Sequence, residues 1–261
     1  MIKGLYKELF IVIGVFLLGW IAFTLFKWVP DSPELSVPVE TEQEIGELLA
    51  GQVLIQYKEI ENDTIAEAIS VMKTRLLDAI GPTNYDYKLY VVDEPQVNAF
   101  ATLGGHIFIF SGIIQITESP EELAAVLAHE MGHVEERHVV NKLVKEMGLN
   151  VVFSILTGSD PVLVGELARA TISSSFDRSQ ESSADLFALK TLEKAEISPR
   201  YVSTVFRRLK EEHGDYNENL EFLMSHPNIN KRIKESLEYE LSEDFENESL
   251  EIDWEAVKRN L

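Results

Sequence analysis

A chain of 261 residues with 44 acidic and 23 basic side chains has a formal charge of −21. That charge repels nucleic-acid phosphates and disfavours docking of the body on anionic lipid, so no nucleic-acid partner is expected. The absence of cysteine excludes disulfides, thiol chemistry and a lipoprotein anchor.

Residues 9–26 form an uninterrupted uncharged run with Trp20 inside it and Trp28 just beyond, long enough to cross a bilayer as an uncleaved anchor. No small-x-small cleavage site follows, which argues against a removed signal peptide. Lys3 and Lys7 precede the run, whereas Asp31, Glu34, Glu40, Glu42 and Glu44 follow Lys27. The positive-inside rule therefore predicts a cytoplasmic N-terminus and an extracytoplasmic body. Residues 1–28 read as the transmembrane segment, 29–40 as a proline-rich linker and 41–261 as one domain of about 220 residues, enough for a real core.

Thr41-x-x-Glu44 opens an amphipathic helix to about residue 58, and a second runs over 62–80 to the stop at Gly81-Pro82. Residues 87–92, 97–103 and 106–110 read as strands, separated by Asp93-Glu94-Pro95 and Gly104-Gly105. The expected class is α+β, mainly helical with one small antiparallel sheet. Such a sheet offers an edge to which a protein or peptide substrate can add in extended form. His106, in the last strand, reads as structural or rim-exposed.

Ser119-Pro120-Glu121-Glu122 is a helix start: serine cap, proline at the first position, glutamate at the third. No proline interrupts before Gly148, so the helix is expected to continue that far. It carries His129-Glu130-Met131-Gly132-His133, the pattern H-E-x-x-H. Histidines four apart on a helix project from one face and can reach one metal ion. Glu130 beside them is placed to act on a water without binding the metal, the arrangement by which zinc peptidases make water a nucleophile. A third protein ligand is needed. His138, five residues past His133 on an unbroken helix, faces about half a turn away; it is rejected as a ligand and reads as a histidine behind the site or on the surface. Glu181 and Asp185 share a face four residues apart, with Ala184 allowing close helix approach. One carboxylate can bind the metal while the other holds a ligand histidine by its second nitrogen.

Residues 147–156 are apolar but too short to span a membrane, and Gly158-Ser159-Asp160-Pro161 is a turn, giving a helical hairpin expected near the cleft. Residues 162–195 read as one long helix carrying Glu181, residues 199–214 as another and 253–261 as a last. The acidic stretch 235–255 reads as a surface helix or a loose tail. Ser225-His226-Pro227 is good turn chemistry.

Taken in order, the motif His129–His133, then Arg178-x-x-Glu181-x-x-Ala184-Asp185, resembles the HtpX and CaaX-prenyl-protease family of gluzincin metalloendopeptidases and its single-span and periplasmic relatives. Asn98-Ala99-Phe100 with Gly104-Gly105-His106, and Ser225-His226-Pro227 with Arg232, resemble further motifs of that family. The resemblance implies one zinc ion per chain on His129, His133 and Glu181, with Glu130 as general base and then proton donor. It makes Asp185 the partner of a ligand histidine. His226 and Arg232 would lie across the cleft near the developing oxyanion or the substrate backbone, and Asn98 on the strand rim would bind substrate or support the oxyanion. The implied activity is that of a membrane-anchored zinc endopeptidase acting on misfolded or envelope proteins. The alternatives are a prenyl-peptide processing enzyme, disfavoured by a single span, and a non-catalytic chaperone or binding module on the same fold. That module predicts loss of a ligand or the base, and His129, Glu130, His133 and Glu181 are all present.

Overall fold

The computed structural model describes residues 13, 14, 16, 17, 37–158, 161–172, 175–213, 222 and 225–261. The chain divides into two compact units, Met1–Ser36 and Val37–Leu261. In the first, residues 13, 14, 16 and 17 are helical, and the rest of the apolar run at 9–26 lies outside the described residues. Among the described residues no helix is long and apolar enough to cross a membrane.

The second unit opens with α1 (Val39–Gln56) and α2 (Asp63–Ile80). Asn62 caps α2 by accepting from the Thr64 and Ile65 amides, and Gly81 at φ 82° ends it. Ile65, Ile69, Met72 and Leu76 follow one stripe of α2 and are buried.

Strands β1 (Lys88–Val92), β2 (Ala99–Ala101) and β3 (His106–Phe110) form a sheet of order β1-β3-β2. The sheet is mixed rather than antiparallel. β1 runs parallel to β3 with Lys88 opposite His106, and only β2 is antiparallel, with Ala99 opposite Ile109. Every side chain of β3 is buried, which assigns it the central position. The chain enters it from β2 through a single 3-10 turn (Leu103–Gly105) in which Gly104 has φ 73°. Residues 93–98 carry the chain across the end of the sheet, where the Gly112 amide donates to Glu94 O and Ser111 Oγ bonds the Glu94 backbone.

After α3 (Ser111–Ile116) comes α4 (Pro120–Glu135), capped as expected by Ser119 with proline at its start. Its residues from Pro120 to Val134 are all buried, so α4 is the central helix of the unit. The expected continuation to residue 148 does not occur. Arg137 adopts φ 56°, ψ 31°, and a new helix, α5 (His138–Met147), starts there. A left-handed conformation costs a residue with a Cβ about 1–2 kcal/mol. Here tertiary bonds offset it: Arg137 Nη2 donates to Val37 O and pairs with buried Glu42 Oε2 at 3.0 Å. Nothing in the local pattern announces that pairing.

α6 (Leu149–Gly158) and α7 (Pro161–Ile172) follow, and α8 (Arg178–Lys194) carries the two carboxylates. The single helix expected over 162–195 is thus two, because Asp177 forms a capping box with Gln180. Gly165 of α7 sits beside Gln52, so α7 rests on α1. Residues 159 and 160 of the expected turn lie outside the described residues. α9 (Arg200–His213), α10 (Ile229–Leu237) and α11 (Trp254–Arg259) complete the fold. The acidic stretch is helical only at its two ends, in α10 and α11, and its middle is tied down rather than loose. Tyr239 Oη donates to Glu193, Arg75 pairs with Glu248 at 2.8 Å, and Trp254 Nε1 donates to Thr117 O at 3.1 Å.

Candidate metal centre

α4 and α8 cross where neither has bulk. A Cβ on Gly132 would stand 3.0 Å from Ala184 O and 3.2 Å from Phe187 Cβ, so glycine opposite alanine sets the closeness of the two helices. The crossing brings Glu181 under the two histidines of α4. His129 Nε2 and His133 Nε2 are 3.1 Å apart, and Glu181 reaches them at 3.6 and 3.5 Å. His226 joins them rather than standing across a cleft. Its Nδ1 lies 3.2 Å from His129 Nε2 and 2.9 Å from Glu181 Oε1. One donor atom from each of His129, His133, Glu181 and His226 lies within 4.8 Å of the others, and all four residues are buried.

Behind this ring, His129 Nδ1 is 3.0 Å from Asp185 Oδ1. A carboxylate only accepts, so the ring gives its Nδ1–H there and turns the Nε2 lone pair inward. Asp185 is fixed by Arg232, whose Nε and Nη2 donate to its two oxygens at 2.7 and 2.6 Å. Arg232 also pairs with Glu181 Oε2 at 2.7 Å, stacks over Phe206 with 4.2 Å to the ring centre, and brings Nη2 within 3.2 Å of His129 Nδ1. It is buried in this network. Arg232 thus braces both carboxylates, and its Nη2 lies 3.3 Å from His129 Nε2.

Glu130 points from the same helix. Its Oε2 accepts from the Ala101 amide of β2 at 2.8 Å. Its Oε1 has no hydrogen-bond partner among the described residues and lies 3.5 Å from His226 Nε2. Burial pushes the Glu130 carboxyl up to about 7. Burial, helped by Arg232, brings His129 down to about 4, and burial drives His133 well below its ordinary value. Burial also opposes ionisation of Glu181 and Asp185. His226, His133 and Arg232 nonetheless hold Glu181 far below the carboxylate range, and Arg232 brings Asp185 to about 2. For His226 burial works against the proton, but Glu181 and Glu130 outweigh it and raise the pKa.

This donor set fits a divalent cation. Burial favours the neutral form of His129 and His133, the ionised Glu181 converges on them, and Arg232 pairs with Glu181 and Asp185 behind the ring. Imidazole nitrogens and a carboxylate oxygen converging on one point are the donor types that hold divalent metal ions.

Two further side chains support the ring from outside it. His138 is outside the donor ring, as expected, and the Arg137 bend makes it a support of His133 rather than a surface residue: its Nδ1 is 3.1 Å from His133 Nδ1 and its Nε2 3.2 Å from Ser183 Oγ. Phe176 stacks on the His133 ring at 3.9 Å between centres. Its position just before the cap of α8 was the only available signal. Asn98 is not on an exposed rim. It is fully buried, its side-chain atoms make no hydrogen bond among the described residues, and only its backbone oxygen is engaged, by Phe110 N. His106 is buried too, stacked on Tyr90 with Nδ1 3.1 Å from the phenol oxygen.

A sequence model of Peptidase family M48 matches residues 64–240, a span that contains every residue of the ring and its supports. The chain is 30% identical over 176 residues to the mitochondrial metalloendopeptidase OMA1 of Schizosaccharomyces pombe, covering 66% of this chain and 52% of that protein. It is 26% identical over 224 residues to the beta-barrel assembly-enhancing protease of Yersinia pestis, covering 80% and 46%. The OMA1 of Saccharomyces cerevisiae is 29% identical over 226 residues, covering 80% and 64%. The chain thus spans about half the length of the first two of these curated relatives. The match is to the family and does not single out its HtpX or CaaX-processing branches. By that match, and by a donor ring of the kind metal-dependent peptidases require, the chain belongs to peptidase family M48.

Proposed function

We propose that the chain is a zinc-dependent endopeptidase of gluzincin type, held to a membrane by residues 9–26 with its body extracytoplasmic, and acting on misfolded or envelope proteins. The observation that carries this reading is the convergence of His129, His133, Glu181 and His226, with a Glu130 oxygen beside them that makes no hydrogen bond among the described residues. Zinc in that ring would supply a Lewis acid that polarises a scissile carbonyl and lets water lose a proton near neutrality. Every other task falls to side chains. Glu130 Oε1 takes the proton and returns it to the leaving amine, and a carboxyl near 7 can do both at physiological pH. The Ala101 amide fixes the other oxygen and so aims the first. Asp185 and Arg232 hold His129 in one orientation. Catalytic sites keep three protein donors and one open position. His129, His133 and Glu181 would hold the ion, and His226, 3.5 Å from Glu130 Oε1, would stabilise developing negative charge. An extended peptide would lie along the β2 edge. The names of the relatives, a metalloendopeptidase and a protease, support a protein substrate.

The test uses the full chain with casein as substrate. Cleavage should stop with a chelator and return with zinc. Glu130→Gln should keep one zinc per chain and lose at least about a hundredfold in turnover. Zinc without cleavage in the wild type would instead make the chain a binding module, and unimpaired cleavage by Glu130→Gln would remove the base from its assigned role.

A further inference from the structure

We propose that His138 and Ser183 are positioning residues that set the tautomer of His133 through a neutral hydrogen-bonded chain, the counterpart of the charged Asp185–Arg232 support of His129. The inference rests on the donor-ring reading above.

The chain can be followed from its far end. Ser183 Oγ is 3.0 Å from Gln180 O in α8, and a carbonyl can only accept. The serine has one proton, and giving it to Gln180 leaves Oγ as an acceptor toward His138 Nε2 at 3.2 Å. His138 therefore carries its proton on Nε2 and offers the Nδ1 lone pair to His133 Nδ1 at 3.1 Å. His133 must then be protonated on Nδ1, and its Nε2 lone pair faces His129 and Glu181. Reversing the chain would put an N–H into the donor ring and forfeit the Ser183–Gln180 bond. Only the first order leaves a ligand nitrogen free. The Phe176 face stacked on His133 fixes the remaining freedom of the ring. His138 can reach Nδ1 because Arg137 breaks the helix immediately before it. On a straight helix the fifth residue along points away.

Each ligand histidine thus has its own orienting partner, and the two partners differ in kind. Losing such a partner ordinarily weakens metal binding ten- to a hundredfold. The test is carried out on the metal-free full chain labelled with 15N-histidine, reading the two ring nitrogens of each imidazole by long-range proton–nitrogen correlation. His133 should be wholly the Nδ1–H tautomer in the wild type. Ser183→Ala and His138→Ala should give mixed tautomers and about a ten- to hundredfold loss in zinc affinity by chelator competition. His138→Gln, whose amide can accept from His133 and donate to Ser183, should recover most of it. Proton on Nε2 of His133 in the wild type overturns the proposal, as does zinc affinity unchanged in both alanine variants. A wild-type Nδ1–H tautomer in a chain that takes up zinc yet cleaves nothing supports this inference and sinks only the peptidase reading. The wild-type spectrum decides the matter even if a variant fails to fold.

Discussion

Two helix junctions deliver the donors, and they are built from opposite materials. Where α4 crosses α8, closeness comes from what is missing: Gly132 has no side chain and Ala184 almost none, leaving about 3 Å of room for a Cβ. Where α4 turns into α5, closeness comes from what is added: the Arg137 guanidinium ties a left-handed residue to Val37 and to the buried carboxylate of Glu42. The first junction is steric and indifferent to charge. The second balances backbone strain against an ion pair, so it should respond to charge, to glycine and to pH. One brings Glu181 to the histidines and the other brings His138 to His133, so the centre depends on both kinds of construction.

The largest effect should follow from filling the steric junction. Gly132→Val places two methyl groups where one Cβ already meets Ala184 O at 3.0 Å. Overpacking of this kind costs about 1–3 kcal/mol, but the main consequence is functional. α8 has to retreat, and Glu181 retreats with it from His129 and His133. Bound zinc measured after dialysis should fall well below one per chain, and cleavage should fall with it. A valine variant holding full zinc would show that the crossing is softer than its contacts imply.

A smaller effect sharpens the contrast at the other junction. Arg137→Ala and Arg137→Gly both delete the guanidinium and leave Glu42 without its cation. Only glycine also relieves the positive φ of 56°. The glycine variant should therefore be more stable than the alanine variant by about 1 kcal/mol in urea unfolding, with both below the wild type. Equal stabilities would mean that the bend is not strained and that the ion pair has nothing to offset.

That pair of junctions also separates what was legible in the sequence from what was not. H-E-x-x-H, the Glu181/Asp185 interval and Ala184 are local spacings, and helix periodicity turns each into a direction in space. The Ser119 cap was equally visible, because a cap is read from four consecutive residues. The bend at Arg137 depends on Glu42 and Val37, nearly a hundred positions away (95 and 100 residues), and no window along the chain contains both partners. The same holds for the sheet. Three strands could be read from β-branched and aromatic residues, but the parallel pairing of β1 with β3 follows from which strand is buried on both faces. His226 and Arg232 are legible as residues, but a turn and a helix start do not say how closely the chain approaches the ring. His138 is outside the donor ring, as expected, but its contact with His133 depends on a bend that the unbroken helical pattern does not show.

The smallest effect is a slope. Burial holds the Glu42 carboxyl above its ordinary 4.5, against the opposing pulls of Arg137, Tyr85 and the Gly104 amide. A carboxyl raised in the folded state contributes stability that is complete below its unfolded value and is lost as pH rises through the folded one. Glu42→Gln keeps the size and an acceptor for Arg137 and Tyr85 but never ionises. Wild type and variant should therefore diverge from pH 4.5 upward, with the variant gaining on the wild type in unfolding free energy, whatever the other carboxylates do to both. Gly132→Ala, measured alongside, adds no titrating group and should stay parallel to the wild type across the same range. Parallel curves for Glu42→Gln as well would mean that Arg137 neutralises the carboxylate completely, and the bend would then be as indifferent to charge as the crossing.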